Sequence, residues 1–281
     1  MSWLDALILG IVQGLAEYLP ISSSGHLEIF RDILALQLSG EDALEFDITL
    51  HVATVLSTIV ILWKEFVPLC RSFFTFKRDA NFYYVLKILL SCIPIAVVGL
   101  CFKDFVESFF GGNLTTVGIC LLVTASLLTF AYFFRNPARE AGYNIKGIDT
   151  RHRFKAHDIT WADAFIIGCA QAVAVLPGLS RSGSTIATGL LLGDRRDKIA
   201  QFSFFMVIIP ILGEALLDIK DMIGGEGSGQ AIGFLPLAVG FLAAFLVGCL
   251  ACRWMIELVK RGGLIWFALY CLAVGVLCIV W

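Results

Sequence analysis

Two apolar stretches in this chain are broken in the same way. The first runs from Leu4 to Leu19, stops at Pro20 and passes into Ile-Ser-Ser-Ser-Gly-His. The second runs from Trp161 to Leu176, stops at Pro177 and passes into Gly-Leu-Ser-Arg-Ser-Gly-Ser. At a constant offset, Trp3, Asp5, Ala6, Ile8, Gly10, Gln13, Ala16, Ser22, Ser24 and Gly25 recur as Trp161, Asp163, Ala164, Ile166, Gly168, Gln171, Ala174, Ser180, Ser182 and Gly183. Agreement of that density marks a duplicated unit. The chain is 58% hydrophobic and only 16% charged, with a mean hydropathy of +0.85, so most of it meets hydrocarbon rather than water. A helix over 4–19 is about 24 Å long, short of the roughly 30 Å bilayer core. Stopped there, it must turn back against protein or a polar cavity, because unsatisfied backbone is not tolerated against lipid.

The expected fold is an all-α polytopic membrane protein made of two repeats. The first covers 1–134, with a re-entrant hairpin over 4–38 and spans at 46–63, 88–102 and 115–134. A cytoplasmic linker occupies 135–160. The second repeat covers 161–281, with a hairpin over 161–193 and spans at 200–217, 234–252 and 264–281. The returning arm of the first hairpin carries Glu28, Arg31 and Asp32 and is too charged to face lipid. Three crossings per unit is an odd number, which makes the repeats inverted. Charge agrees: most of the 21 basic residues fall in 64–87, 135–160, 195–198 and 253–261, leaving Arg31, Lys103 and Lys220 on the other side and Arg181 in the second polar loop. Such a bias sets the basic segments in the cytoplasm and both termini outside. Trp63, Trp254, Trp266 and Trp281 mark span ends. No Lys or Arg precedes Arg31, so no cleavable signal is expected. The basic residues form no aromatic-interleaved patch, which argues against nucleic acid as a partner. Cys249 and Cys252 form a lone Cys-x-x-Cys at the end of an apolar run and read as packing residues.

The hairpin tips gather the polar residues. Gln13 and Glu17 share one helix face at i, i+4. An ionisable residue at membrane depth is a functional candidate, and Glu17 could hold a divalent cation with the Gln13 carbonyl assisting; a hydrogen-bonded structural pair is the plainer alternative. Arg181 offers a planar fork suited to phosphate, and Ser180, Ser182 and Thr185 flank it at a helix start that favours an anion. A structural ion pair between Arg181 and Glu17 is the competing reading. His26 follows Ser22, Ser23, Ser24 and Gly25 and could serve as base to a serine nucleophile; a capping cluster with a packed histidine would look the same. The copies differ where chemistry would sit: Val175 and Ser184 stand opposite Glu17 and His26, and Ser23 stands opposite Arg181. His51 reads as a structural histidine, Glu214 as an intramembrane acid without an evident partner, His152 and His157 as solvated. Glu41, Asp42, Glu45 and Asp47 read as an exposed loop.

At Gln13 to His26 and Pro177 to Thr185 the sequence strongly resembles the undecaprenyl-diphosphate phosphatase, or bacitracin-resistance, family. The shared motifs are Glu/Gln-x-x-x-Glu, then Pro-x-Ser-Ser-x-Gly-His, then Pro-Gly-x-Ser-Arg-Ser-x-x-Thr. Gln13 in place of Glu leaves more of any metal binding to Glu17. The resemblance implies a membrane phosphatase that hydrolyses undecaprenyl diphosphate to undecaprenyl phosphate at the outer face of the inner membrane, with calcium or magnesium as cofactor. It implies Glu17, Ser23, His26 and Arg181 as catalytic groups, with Glu17 and Gln13 at the metal, Ser23 as nucleophile, His26 as its base and Arg181 as phosphate clamp. Gln13, Ser22, Ser24, Gly178, Ser180, Ser182 and Thr185 would line the substrate. Attack by metal-bound water stays open. A flippase of the carrier phosphate is the alternative function, and an intramembrane serine hydrolase a weaker one. Membrane lipids are expected partners, and a homodimer is an open possibility.

Overall fold

The structure, a computed structural model, describes residues 1–36, 38, 40–102, 114–135, 156–223 and 232–281. These residues form α-helices α1 (Trp3–Ala16), α2 (Ser23–Ile33), α3 (Gly40–Ile61), α4 (Trp63–Phe74), α5 (Ala80–Cys101), α6 (Leu114–Phe134), α7 (Trp161–Val173), α8 (Arg181–Leu192), α9 (Arg196–Ile223), α10 (Phe234–Arg261) and α11 (Ile265–Val280). Four of them, over 42–61, 80–101, 114–134 and 234–261, are long and apolar enough to cross a bilayer. The protein is a multi-pass membrane protein.

Each broken helix starts with the same device. Ser2 and Asp5 form a capping box at α1, and Thr160 and Asp163 form one at α7. Each is followed by a short polar turn and a second helix capped by serine. Ser22 accepts from Gly25 N–H at the start of α2, and Ser180 accepts from Gly183 N–H at the start of α8. The turn into α2 is tight enough to force Ser22 to φ 72°, a left-handed value unusual for a residue with a Cβ.

The helix α1 packs along α10, and α7 packs along α5, so each broken helix leans on a long helix far from it in sequence. Glycines allow the approach. A methyl group at Gly10 would fall 2.5 Å from the Gly240 carbonyl oxygen, and one at Gly168 would fall 2.3 Å from that of Ser91. Small residues at such crossings let membrane helices close on one another without a hydrophobic driving force. The pairs α3–α9 and α6–α11 complete the bundle, the latter closing through Gly118 against Gly275. Leu100, Leu246, Leu250 and Val280 face outward with the four span-end tryptophans, an apolar exterior suited to lipid.

Several boundaries differ from expectation. Helix α5 begins at Ala80 rather than 88, α10 runs on to Arg261, and 200–217 lies inside the longer α9. The segment after Ile61 continues as α4 because Trp63, Phe66 and Leu69 supply a helical stripe with polar residues between them. Asp42, Glu45 and Asp47 do not form a loop: they lie in the first turns of α3, where Asp47 pairs with Arg31 of α2. Acidic residues suit a helix N-terminus, so a charge run there reads as a loop only when the helix start is placed too late. The side chain of Glu214, most of the linker with His152, and Lys103 lie outside the described residues.

Gly168→Ala should lower thermal stability in detergent by about 1–3 kcal/mol, because the new methyl meets backbone rather than a yielding side chain. Gly99→Ala, in α5 with nothing within 4 Å of its added methyl among the described residues, should be neutral or stabilising by up to about 1 kcal/mol. Unfolding midpoints of the two variants check the contrast.

Candidate active site

The two polar turns meet. A methyl at Gly25 would sit 3.0 Å from Gly178 Cα, and one at Gly183 would sit 3.2 Å from Pro20 Cβ. Gly178 takes φ +87° and backs onto Val117, where only glycine fits both the conformation and the space. Ser182 Oγ donates to the Leu19 carbonyl at 3.1 Å, Cys271 Sγ lies 3.4 Å from the Pro20 carbonyl, and Ser180 N–H donates to Thr124 Oγ1 at 3.2 Å. The broken backbone of the two turns is thus satisfied by side chains from the opposite half, as breaks away from water require.

Glu17 sits at the junction with its side chain 7% exposed. Gln13 Nε2 and Ser23 Oγ each donate to Oε2 at 2.9 Å, and Arg181 Nη2 donates to Oε1 at 3.4 Å. His51 joins from α3: its Nδ1 donates to the Asp47 carbonyl at 2.8 Å, which points Nε2 at Glu17 Oε2, 3.6 Å away. The neighbouring Tyr18 hydroxyl is pinned to α3 by Thr54 O at 2.6 Å and Thr58 Oγ1 at 2.8 Å, with Ser57 also in contact, and this fixes the end of α1. A buried carboxylate is tolerable only when so surrounded, and removing a partner of such a group costs several kcal/mol.

Ser23 and Arg181 thus reach one carboxylate from two hairpins. His26 lies apart from that arrangement. Its Nδ1 must carry the proton, because it meets the Ser22 carbonyl at 2.8 Å, and its Nε2 then accepts from Tyr270 O–H at 2.8 Å. The expected pairing of Ser23 with His26 is replaced by pairing of Ser23 with Glu17, because the first turn of α2 turns the imidazole back toward its own cap and toward α11. Ser22 and Ser180 spend their oxygens as helix caps, and Thr185 donates to the Arg181 carbonyl at 2.8 Å and contacts Ser203 at 2.6 Å. Ser24 contacts Ser22 Oγ at 3.5 Å and is only half-buried.

A cavity of about 20 Å³ lies between Glu17, Arg181, Ser182 and Thr185, with Gln171 and Ser203 in its wall. It has room for about one water. Gln171, the repeat counterpart of Gln13, is buried there with no partner for Nε2 among the described residues. Gln171, His51 and Tyr270 also stand beside Glu17 and His26, neighbours that the local sequence does not reveal. The repeat itself could have flagged Gln171; nothing local marks the other two, which arrive through tertiary packing. Gln13 Oε1 is likewise buried and unpartnered among the described residues. With Glu17 and Ser23 it makes an all-oxygen donor set, the type that suits calcium or magnesium when substrate phosphates complete the coordination.

A second cavity, of about 270 Å³, opens beside His26 and is walled by Phe30, Ile33, Tyr270, Val274 and Leu277.

The chain matches the family described as "Bacitracin resistance protein BacA" over residues 6–277. A protein of Bacteroides fragilis named undecaprenyl-diphosphatase is 55% identical over 280 residues, covering 100% of this chain and 98% of its own. Similarly named proteins of Parabacteroides distasonis and Christiangramia forsetii are 54% and 43% identical, covering 99% and 100% of this chain and 98% of each relative. With the motif residues of both hairpins gathered around Glu17 and the match running almost end to end, the chain belongs to the bacitracin resistance protein BacA family.

Proposed function

We propose that this protein is an inner-membrane phosphatase that hydrolyses undecaprenyl diphosphate to undecaprenyl phosphate and inorganic phosphate, recycling the cell-wall carrier lipid and conferring bacitracin resistance. The observation that carries the reading is the convergence on buried Glu17 of the Ser23 hydroxyl at 2.9 Å and the Arg181 guanidinium at 3.4 Å. The relatives' shared name supplies the substrate.

The terminal phosphoryl group enters by parting Arg181 from Glu17. Arg181 then takes the phosphoryl oxygens in its fork, aided by the N-terminal dipole of α8. Ser23 Oγ attacks the terminal phosphorus and its proton passes to Glu17. The bond from that phosphorus to the bridging oxygen breaks, and Glu17 hands the proton to the departing undecaprenyl phosphate. Water then attacks the phosphoserine, giving its proton to Glu17, which returns it to Ser23 as phosphate leaves. Neutral His26, held by Tyr270 and the Ser22 carbonyl, fixes the turn that aims Ser23. A divalent cation, calcium or magnesium, held by Glu17 and the Gln13 carbonyl, would offset charge on the diphosphate. The apolar cavity beside His26 suits the first isoprene units.

The same reading makes the two halves an inverted repeat, with the site opening to the outer face and the basic segments in the cytoplasm. The crossed pairing of α1 with α10 and of α7 with α5 supports it, since it is what a two-fold axis in the membrane plane produces.

Arg181→Ala should cut phosphate release from farnesyl or undecaprenyl diphosphate by about 10²–10³-fold, with Arg181→Lys intermediate because a point charge replaces a fork; full activity in Arg181→Ala would reject the site. Acid-quenched turnover should yield phosphoserine at Ser23 by mass spectrometry, and unlabelled Ser23 under conditions of burst turnover would move attack to water. Tyr270→Phe should lose about 1 kcal/mol of stability yet keep activity within about tenfold, whereas a loss as deep as that of Ser23→Ala would restore His26 as base. Chelation should abolish release, and added calcium or magnesium should restore it.

A further inference from the structure

A second constellation lies at the far end of α8, about 17 Å along the helix from Arg181. His157, just before α7, runs beside the turn after α8: its N–H donates to the Gly193 carbonyl at 3.1 Å, and its carbonyl accepts from Arg195 N–H at 3.0 Å. This short bridge presents the imidazole to two acids. His157 Nδ1 lies 3.7 Å from Asp163 Oδ2 and 3.6 Å from Asp194 Oδ1. One ligand atom from each of the three residues falls within 4.8 Å of the others. Asp163 Oδ2 also accepts from Thr160 N–H at 2.8 Å as part of the capping box of α7.

Asp194 is the unusual member. It is wholly buried, and neither carboxylate oxygen has a hydrogen-bond partner among the described residues. Lys87 Nζ donates to the Ile159 carbonyl at 2.6 Å and Arg135 Nη2 to the Gly193 carbonyl at 3.5 Å, so both cations lie in the same neighbourhood without a hydrogen bond to Asp194. A buried carboxylate without donors calls for a counter-charge. The histidine is set up to help provide one. Its Nε2 lies 3.3 Å from the Leu192 carbonyl, which orients that N–H and leaves Nδ1 facing both acids and the Asp158 carbonyl at 3.1 Å. Backbone anchoring of the remote nitrogen is the usual way a protein aims a metal-binding imidazole. A proton on Nδ1 would point to the nearer Asp158 carbonyl, so even then Asp194 would gain charge compensation but no hydrogen bond.

We propose that His157, Asp163 and Asp194 bind a divalent transition-metal ion of the zinc type. One imidazole nitrogen with two carboxylates suits that class better than calcium or magnesium. The side chain of His157 is 44% exposed, so it can close the remaining gap as the ion enters. The ion would staple three segments: the approach to α7, the first turn of α7, and the turn from α8 into α9. Those segments frame the hairpin that carries Arg181. The site is separate from Glu17 and does not depend on the proposed phosphatase reading.

The test uses the full chain in detergent, stripped with EDTA, exposed to zinc and desalted. Metal per chain is then measured by mass spectrometry, alongside the thermal unfolding midpoint. The wild type should retain one zinc ion per chain and unfold at a higher temperature. His157→Ala should lose both the zinc and the upward shift, as should Asp194→Asn, while Glu17→Gln should keep both. No retained zinc in the wild type, or equal zinc in His157→Ala, would overturn the proposal; because His157 is partly exposed, that variant folds even if Asp194→Asn does not.

Discussion

The structure depends on satisfying broken backbone where no water is at hand. Each interrupted helix leaves carbonyls and N–H groups unpaired at its break, and in hydrocarbon each would cost several kcal/mol. The breaks are tolerated because the two turns lie against each other. Ser22 and Ser180 cap their own helices, Ser182 reaches the Leu19 carbonyl of the opposite hairpin, and Thr124 receives Ser180 N–H. Neither turn would be stable alone in a bilayer, so the contact between them is the condition for the fold as well as for the site.

That contact also brings together the positions at which the two copies of the sequence repeat differ. Gln13 and Gln171 keep matching places, one beside Glu17 and one in the wall of the same small cavity. The residues that differ between the copies are the ones that meet at Glu17. Glu17 has no acidic counterpart at Val175, and Arg181 has no basic counterpart at Ser23. Duplication supplies the frame, and divergence supplies one carboxylate, one hydroxyl and one guanidinium at a shared point. The carboxylate would be prohibitive there without Gln13, Ser23, His51 and Arg181 around it.

Much of this was legible in the residue order. The repeat, the two breaks and the all-helical, multi-pass character follow from apolar length and from proline and serine placement, all local signals. The meeting of Glu17 with Arg181 was legible as well, because broken helices must face one another in a membrane. Directions of side chains were not. His26 sits in the expected turn, yet the helical pitch of α2 aims it at Tyr270 of α11, which nothing in the local sequence foretells. His51 is one helical turn from Asp47 and is aimed by that residue's carbonyl, so its approach to Glu17 depends on how α3 rotates against α1. The acids of α3 look like a loop in sequence because a charge run before an apolar span is ambiguous between loop and first helical turn. His157 looks solvated in sequence because its acidic neighbours arrive from α7 and from the turn beyond α8.

The packing of α1 on α10 bears on how the molecule is made. A chain emerging from the ribosome delivers α1 first, but the groove that accepts Gly10 and Gly14 is formed by Gly240, Ala244 and Gly248, close to the end of synthesis. Through most of translation the leading hairpin therefore has only its α3 side covered, while α7 finds α5 already waiting. Glu17 stays without Arg181 until the later hairpin has been inserted, and its helix lacks its glycine-lined partner until α10 follows. Assembly thus keeps the pocket around Glu17 incomplete until almost the whole polypeptide is in the bilayer.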